Sequence, residues 1–303
     1  MLHIKTMHIK TVFKTFRPPF LILTPVCVLL GLSTALTIST EINYLLFILV
    51  LIGATSAHIS VNTLNEYYDF KSGLDLKTNK TPFSGGSGGL PADPESANAV
   101  LIAGLVTLVI TIGIGLYLCI VRGNQILPIG ITGIALVITY TQWINRSPFL
   151  CLIAPGLGFG VLMVLGTDLI LTGYHTDLPW LISLIPFFLI NNLLLLNQYP
   201  DKEADASVGR KTFPVKYGLQ KSNLIYSVFM LAAYLLIPIY VFLDFLPAQS
   251  NIALIPAVLS CFSLYGIYKY AAEIAKHPVY MAANIAAAIL TPLILALSII
   301  FYK

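Results

Sequence analysis

The chain has 303 residues, 57% of them hydrophobic and only 10% charged, with a net charge of +4. A soluble domain carries about 25% charged residues, so the composition excludes a water-soluble globular protein. Nothing in the charge pattern points to nucleic acid or to a protein partner.

The first sixteen residues are mixed and basic. They lead into a full-length apolar run with no small-residue cleavage site after it, so 18–39 reads as a transmembrane helix rather than a signal peptide. Apolar runs of about 20 residues, the length that crosses a bilayer core as helix, follow at 43–65, 96–121, 125–143, 149–171, 179–199, 223–246, 250–270 and 279–301. The fold class expected is therefore an all-α polytopic membrane protein of about nine transmembrane helices. The whole chain, 1–303, reads as one intramembrane domain. Cys27, Cys119, Cys151 and Cys261 lie far apart within these runs and read as small buried hydrophobes.

Two polar stretches interrupt the pattern, at 70–95 and 200–221. Each follows a nearly identical motif. Asn65-Glu66-Tyr67-Tyr68-Asp69 continues to Gly73 and Asp75, and Asn197-Gln198-Tyr199-Pro200-Asp201 continues to Asp205 and Gly209. The echo of N-x-Y-x-D suggests two four-helix halves with a ninth helix added. Sorting the basic residues places all but Arg122 and Lys303 on one face, which orients that face to the cytoplasm. Both motifs fall on it, because an even number of crossings separates them. The chain is thus expected to be a multi-pass protein of the cytoplasmic (inner) membrane, with its site facing the cytoplasm.

Asn197, Asp201 and Asp205 are spaced i, i+4, i+8 and share one helical face, as do Asn65 and Asp69. Gly73 can end the first helix and let Asp75 swing back. Six oxygen-bearing side chains would then surround one cavity, a donor set suited to Mg2+ bound with phosphate oxygens. Lys71, Lys77, Arg146, Lys202, Arg210 and Lys211 could pair with phosphate. Metal and cations at a membrane face imply a phosphorylated substrate with a lipid tail among the helices. Departure of diphosphate would leave an allylic cation, which aromatic faces stabilise; Tyr67, Tyr68, Tyr140, Trp143 and Tyr199 are the candidates. The 70–95 stretch, with its run Ser84-Gly85-Gly86-Ser87-Gly88-Gly89, reads as a lid over the site or as a flexible linker.

These residues resemble the UbiA superfamily of intramembrane aromatic prenyltransferases. The resemblance covers nearly the whole chain: Arg17-Pro18 opening the first helix, the first motif through Gly73-Leu74-Asp75, the second motif Asp201-Lys202-Glu203-Ala204-Asp205, and its basic tail Gly209-Arg210-Lys211-Thr212-Phe213-Pro214-Val215. It implies Mg2+-dependent transfer of a prenyl group from a polyprenyl diphosphate to an aromatic acceptor. It implies that Asn65, Asp69, Asp75, Asn197, Asp201 and Asp205 hold the Mg2+–diphosphate. It also implies that the basic residue after the fourth helix, Arg146, touches diphosphate, with Tyr140 before it. Asp69, Asp201, Arg146, Lys211 and Tyr140 are then the expected catalytic residues. Arg17, Lys71, Lys77, Lys202, Arg210, Tyr68 and Tyr199 are expected to bind substrate. The wording of the first motif resembles the menaquinone branch, whose acceptor is 1,4-dihydroxy-2-naphthoate. Other acceptors, namely 4-hydroxybenzoate, haem, chlorophyllide or a glycerophospholipid, stay open. So do an ion-coupled transporter, a transferase acting on CDP-alcohols, and a prenyl cyclase without acceptor.

Overall fold

A computed structural model describes residues 2–39 and 41–302. Among these residues every regular element is helical. Ten helices organise the chain: α1 (Leu2–Thr15), α2 (Leu23–Ile38), α3 (Tyr44–Lys71), α4 (Ala97–Arg122), α5 (Leu127–Thr139), α6 (Pro148–Thr172), α7 (Asp177–Ser207), α8 (Phe213–Phe242), α9 (Ala257–Tyr270) and α10 (Pro278–Ile300). Each of α2 to α10 packs on its chain neighbour, and α10 returns to pack on α2, which also runs along α6. The outer surface is apolar: Ile102, Val109 and Ile120 of α4, Ile131 and Ile138 of α5, and Phe242 of α8 are exposed. A water-facing surface would not carry so many. The protein is an integral multi-pass membrane protein.

Among the described residues, seven helical segments are long and apolar enough to cross a membrane, and an eighth forms if α2 is counted with the chain before it, across a bend of 46°. The expected ninth crossing is α5. It is apolar but has 13 residues, about 20 Å at 1.5 Å per residue, against a hydrocarbon core of about 30 Å. The apolar run read at 125–143 is divided between a 3-10 turn at Asn124–Ile126, α5 itself and the turn leaving it. Cys27 and Cys151 are buried, as expected, but Cys261 lies exposed on the outer face.

Helix length places the acidic motifs. α3 has 28 residues and starts at Asn43, whose side chain caps it by accepting from the Leu46 N–H at 3.1 Å. Asn65 stands 21 residues past Tyr44, about 32 Å along the axis. Asn197 stands 20 residues past Asp177 in the 31-residue α7, about 30 Å along. Both motifs therefore emerge at the edge of the hydrocarbon, on the last turns of two overlong helices. Close approach of α6 to α7 holds the second one in place. A Cβ on Gly156 or Gly160 would lie 2.3 Å or 2.5 Å from Phe187 backbone atoms. Gly156 N–H donates to Asn191 Oδ1 at 2.6 Å, at the start of a π-helical stretch, Gly156–Leu162.

Candidate active site

The C-terminal turns of α3 and α7 meet the two polar loops around one polar cavity of about 100 Å³. Asn65, Asp69, Asp75, Asn197, Asp201 and Asp205 all line it. α7 carries its three through without a break, although Pro200 lies inside it. α3 ends at Lys71, and Gly73 follows with φ of 77°, a left-handed geometry that glycine adopts at little cost. The chain turns there, and Asp75 returns to the cavity wall.

Arg210 sits among these carboxylates. Its guanidinium donates to Asp69, and at 3.1 Å to Asp205 Oδ1. Burial alone would pull its pKa down, but Asp69 and Asp205 outweigh that and hold it above the ordinary arginine value. Asp75 has no such partner. Burial, reinforced by the Glu66 and Asp69 carboxylates, pushes it up to about 8. Asp75 Oδ2 and Asp201 Oδ1 are buried without a hydrogen-bond partner.

The donor set is all oxygen, which suits a hard divalent cation, and the two orphaned carboxylate oxygens are free to take one. As the side chains stand, no group of three or more His, Cys, Asp or Glu among the described residues is gathered tightly enough to grip a metal ion. The Arg210 guanidinium stands between Asp69 and Asp205 and supplies positive charge to both. The all-oxygen lining and the two unpartnered carboxylate oxygens fit a hard cation beside it.

The 70–95 loop folds over this cavity. Gly85 N–H donates to Asp201 Oδ2 at 3.1 Å. Ser87 donates to Glu66 twice, N–H to Oε1 at 2.6 Å and Oγ to Oε2 at 2.7 Å. Glu66 is 1% exposed, and Arg17 Nε lies 3.9 Å from it. Sequence reasoning took no role from Glu66. Its signal was a carboxylate inside a motif where only the i, i+4 positions were weighed.

Several expected site residues lie elsewhere. Arg146 and Lys211 are exposed and line neither the polar cavity nor the apolar one beside it. The tight turn Ile144–Arg146 buries Ile144 and Asn145 and turns Arg146 outward. Asn145 lines the polar cavity in its place, and its carbonyl accepts from the Lys211 N–H at 2.9 Å. Lys71 is exposed over the Tyr67 ring, Lys77 is exposed beside Ser207, and Lys202 is half-buried outside the cavities. Of the five tyrosines and tryptophans expected at the site, Tyr140 lines the cavities and Tyr67, Tyr68, Trp143 and Tyr199 do not. Tyr199 is buried on another face of α7, its hydroxyl 2.8 Å from Asn223 Oδ1. Arg17 and Arg210 are the two basic residues that line the polar cavity.

Beneath lies an apolar cavity of about 320 Å³, enclosed mainly by α3, α4, α5, α6 and the end of α7. Arg17, Asn65, Tyr140, Leu194 and Asn197 line both cavities. The two cavities thus adjoin, a charged one against an apolar one, and Tyr140 stands in the wall they share. His58 faces the apolar part. Its Nδ1 is 2.8 Å from Thr24 Oγ1, and Phe159 meets its ring edge to face at 4.5 Å.

Comparison with known proteins agrees with this geometry. The 1,4-dihydroxy-2-naphthoate octaprenyltransferase of Bacillus subtilis (strain 168) is 32% identical over 206 residues, which is 67% of this chain; the match spans 64% of that protein's length, a little under two thirds. The UbiA prenyltransferase domain-containing protein 1 of Dictyostelium discoideum is 28% identical over 262 residues, 80% of this chain and 73% of that one. The fold is shared with a UbiA homologue from Archaeoglobus fulgidus bound to DMAPP and Mg2+, at a TM-score of 0.64 and 16% identity, over 93% of this chain and 98% of that one. It is shared equally with digeranylgeranylglyceryl phosphate synthase, at a TM-score of 0.64 and 18% identity, over 97% and 99%. The model of the UbiA prenyltransferase family matches residues 23–285, and the chain belongs to that family.

Proposed function

We propose that the protein transfers a prenyl group from a polyprenyl diphosphate to an aromatic acceptor, a quinone precursor such as 1,4-dihydroxy-2-naphthoate. The observation that carries this reading is that the polar, acid-lined cavity adjoins the apolar one through five shared lining residues. A molecule with a diphosphate head and an isoprenoid tail matches both parts at once. The Bacillus relative supports the naphthoate acceptor.

Asn65, Asp69, Asp75, Asn197, Asp201 and Asp205 would hold Mg2+ with the diphosphate. Mg2+, when bound, supplies Lewis-acid neutralisation of the leaving group. Arg210 and Arg17 contribute fixed positive charge at the same head. The bond between the prenyl C1 and the diphosphate oxygen breaks, and its electron pair leaves with diphosphate. A ring carbon of the acceptor forms the new bond to C1, and its proton passes to the departed diphosphate as the ring regains its aromatic electrons. Tyr140, at the junction, presents an aromatic face where the allylic cation forms. The 70–95 loop keeps water from that cation, which water would convert to prenyl alcohol. On this reading the basic face with its acidic motifs looks into the cytoplasm.

The test is purified protein with Mg2+, a panel of prenyl diphosphates and a panel of acceptors, with products read by mass spectrometry. A prenylated naphthoate product supports the full reading. A prenylated product with another acceptor corrects the acceptor alone. Absence of any prenylated product with every pair overturns it.

A further inference from the structure

α5 and the residues that flank it line the apolar cavity through Tyr140, Val137, Gly133, Gly130 and Ile126, with Ile129, Ile134 and Leu136 beside them. Tyr140, Val137, Gly133, Gly130 and Ile126 recur at three or four residues, so they share one side of the helix. Two of them are glycine, in the middle of that face. Glycine inside a helix costs about 1 kcal/mol relative to alanine, so its presence asks for a reason. The usual reason in a bundle is close helix approach, as at Gly156 and Gly160. It does not apply here. A Cβ on Gly130 would meet nothing within 4 Å, and one on Gly133 would meet Leu162 Cδ1 at 4.0 Å. Gly115, across the cavity on α4, is equally open. Side chains at these places would project into the cavity itself. Their absence is what makes the space.

Depth can be read along α5. Gly133 lies seven residues from Tyr140, about 10 Å along the axis, and Gly130 ten residues, about 15 Å. An isoprene unit adds four chain bonds, or about 5 Å when scaled from the ~3.5 Å that three extended bonds span. With the reacting carbon at Tyr140, Gly133 stands where the second isoprene unit ends and the third begins, and Gly130 where the third ends and the fourth begins. The buried Leu118 and Ile126 line the same cavity. We infer that Gly133 and Gly130 determine the isoprenoid length this protein accepts, each giving the chain passage at its own depth. This rests on the prenyl diphosphate reading above.

The experiment compares wild type, Gly133→Leu and Gly130→Leu on dimethylallyl, geranyl, farnesyl and geranylgeranyl diphosphates with one acceptor. Gly113→Leu serves as control, because Gly113 has open space around it and lies outside the cavity. Gly133→Leu should keep dimethylallyl and geranyl turnover within threefold of wild type and lose at least tenfold on farnesyl and longer donors. Gly130→Leu should keep farnesyl as well and lose tenfold on geranylgeranyl. The control should not change the donor preference. Uniform loss on all four donors in both variants would make these packing positions and overturn the inference, as would unchanged preference or coincident cut-offs. The acceptor used is one that gives a product in the wild-type panel above; a wild type with no product for any donor and acceptor pair would overturn the prenyl-transfer reading itself, and the inference with it.

Discussion

Glu66 holds Ser87 through both carboxylate oxygens, at 2.6 and 2.7 Å, and so fastens the 70–95 loop to the end of α3. With Gly85 on Asp201, this gives the loop one anchor on each acidic helix. A hydrogen bond to a charged group contributes about 1.5–3 kcal/mol. Glu66→Ala should therefore speed proteolytic cleavage within residues 78–90 by about tenfold or more, since 1.4 kcal/mol is a decade in population. It should also raise the ratio of prenyl alcohol to transfer product. Unchanged cleavage would mean that the loop is held by other contacts.

Asp69 and Asp201 stand on different helices and line the same polar cavity. Asp69→Ala or Asp201→Ala should lower turnover by two decades or more while the protein keeps its thermal transition in detergent. Chelation of Mg2+ should abolish turnover in wild type, with recovery on adding it back. Near-normal turnover in folded Asp201→Ala protein would remove the second motif from the reaction.

Arg210 lines the polar cavity, and Arg146 and Lys211 do not. By analogy with a lost oxyanion-hole donor, Arg210→Met should cost about 2–4 kcal/mol of transition-state stabilisation, roughly two to three decades in rate. Arg146→Gln and Lys211→Gln should each stay within threefold of wild type. A large loss in Arg146→Gln with little change in Arg210→Met would reverse the assignment.

The pH dependence of metal binding follows from Asp75, whose carboxyl keeps its proton up to about pH 8. A cation binding there must displace that proton. Apparent Mg2+ affinity should therefore rise from pH 6.5 towards 8, by up to about tenfold per unit for one proton displaced, and level off above. In metal-free protein the same raised pKa makes this group's contribution to stability fall as pH rises through that window, because the folded state holds the extra proton. Asp75→Asn should flatten the Mg2+ profile. An equal slope in the variant would place the proton elsewhere.

The amino-acid sequence alone carried the all-helical membrane architecture and the convergence of the six oxygen-bearing side chains. Hydrocarbon admits few structures, so apolar runs translate directly into helices. The i, i+4, i+8 spacing of Asn197, Asp201 and Asp205 fixes one face wherever the helix goes. Gly73 signals the turn that returns Asp75. What the sequence could not fix was which neighbours of the motifs face inward. Ile144–Arg146 is a single tight turn, and one residue of register separates Asn145 inside from Arg146 outside. Arg210 reaches Asp69, 141 residues away in the chain, and Glu66 reaches Ser87 through a loop with no periodicity. Gly130 and Gly133 read as ordinary glycines of an apolar helix until the facing helices left the space beside them open. These are long-range placements, decided by how the helices pack, and local spacing holds no record of them.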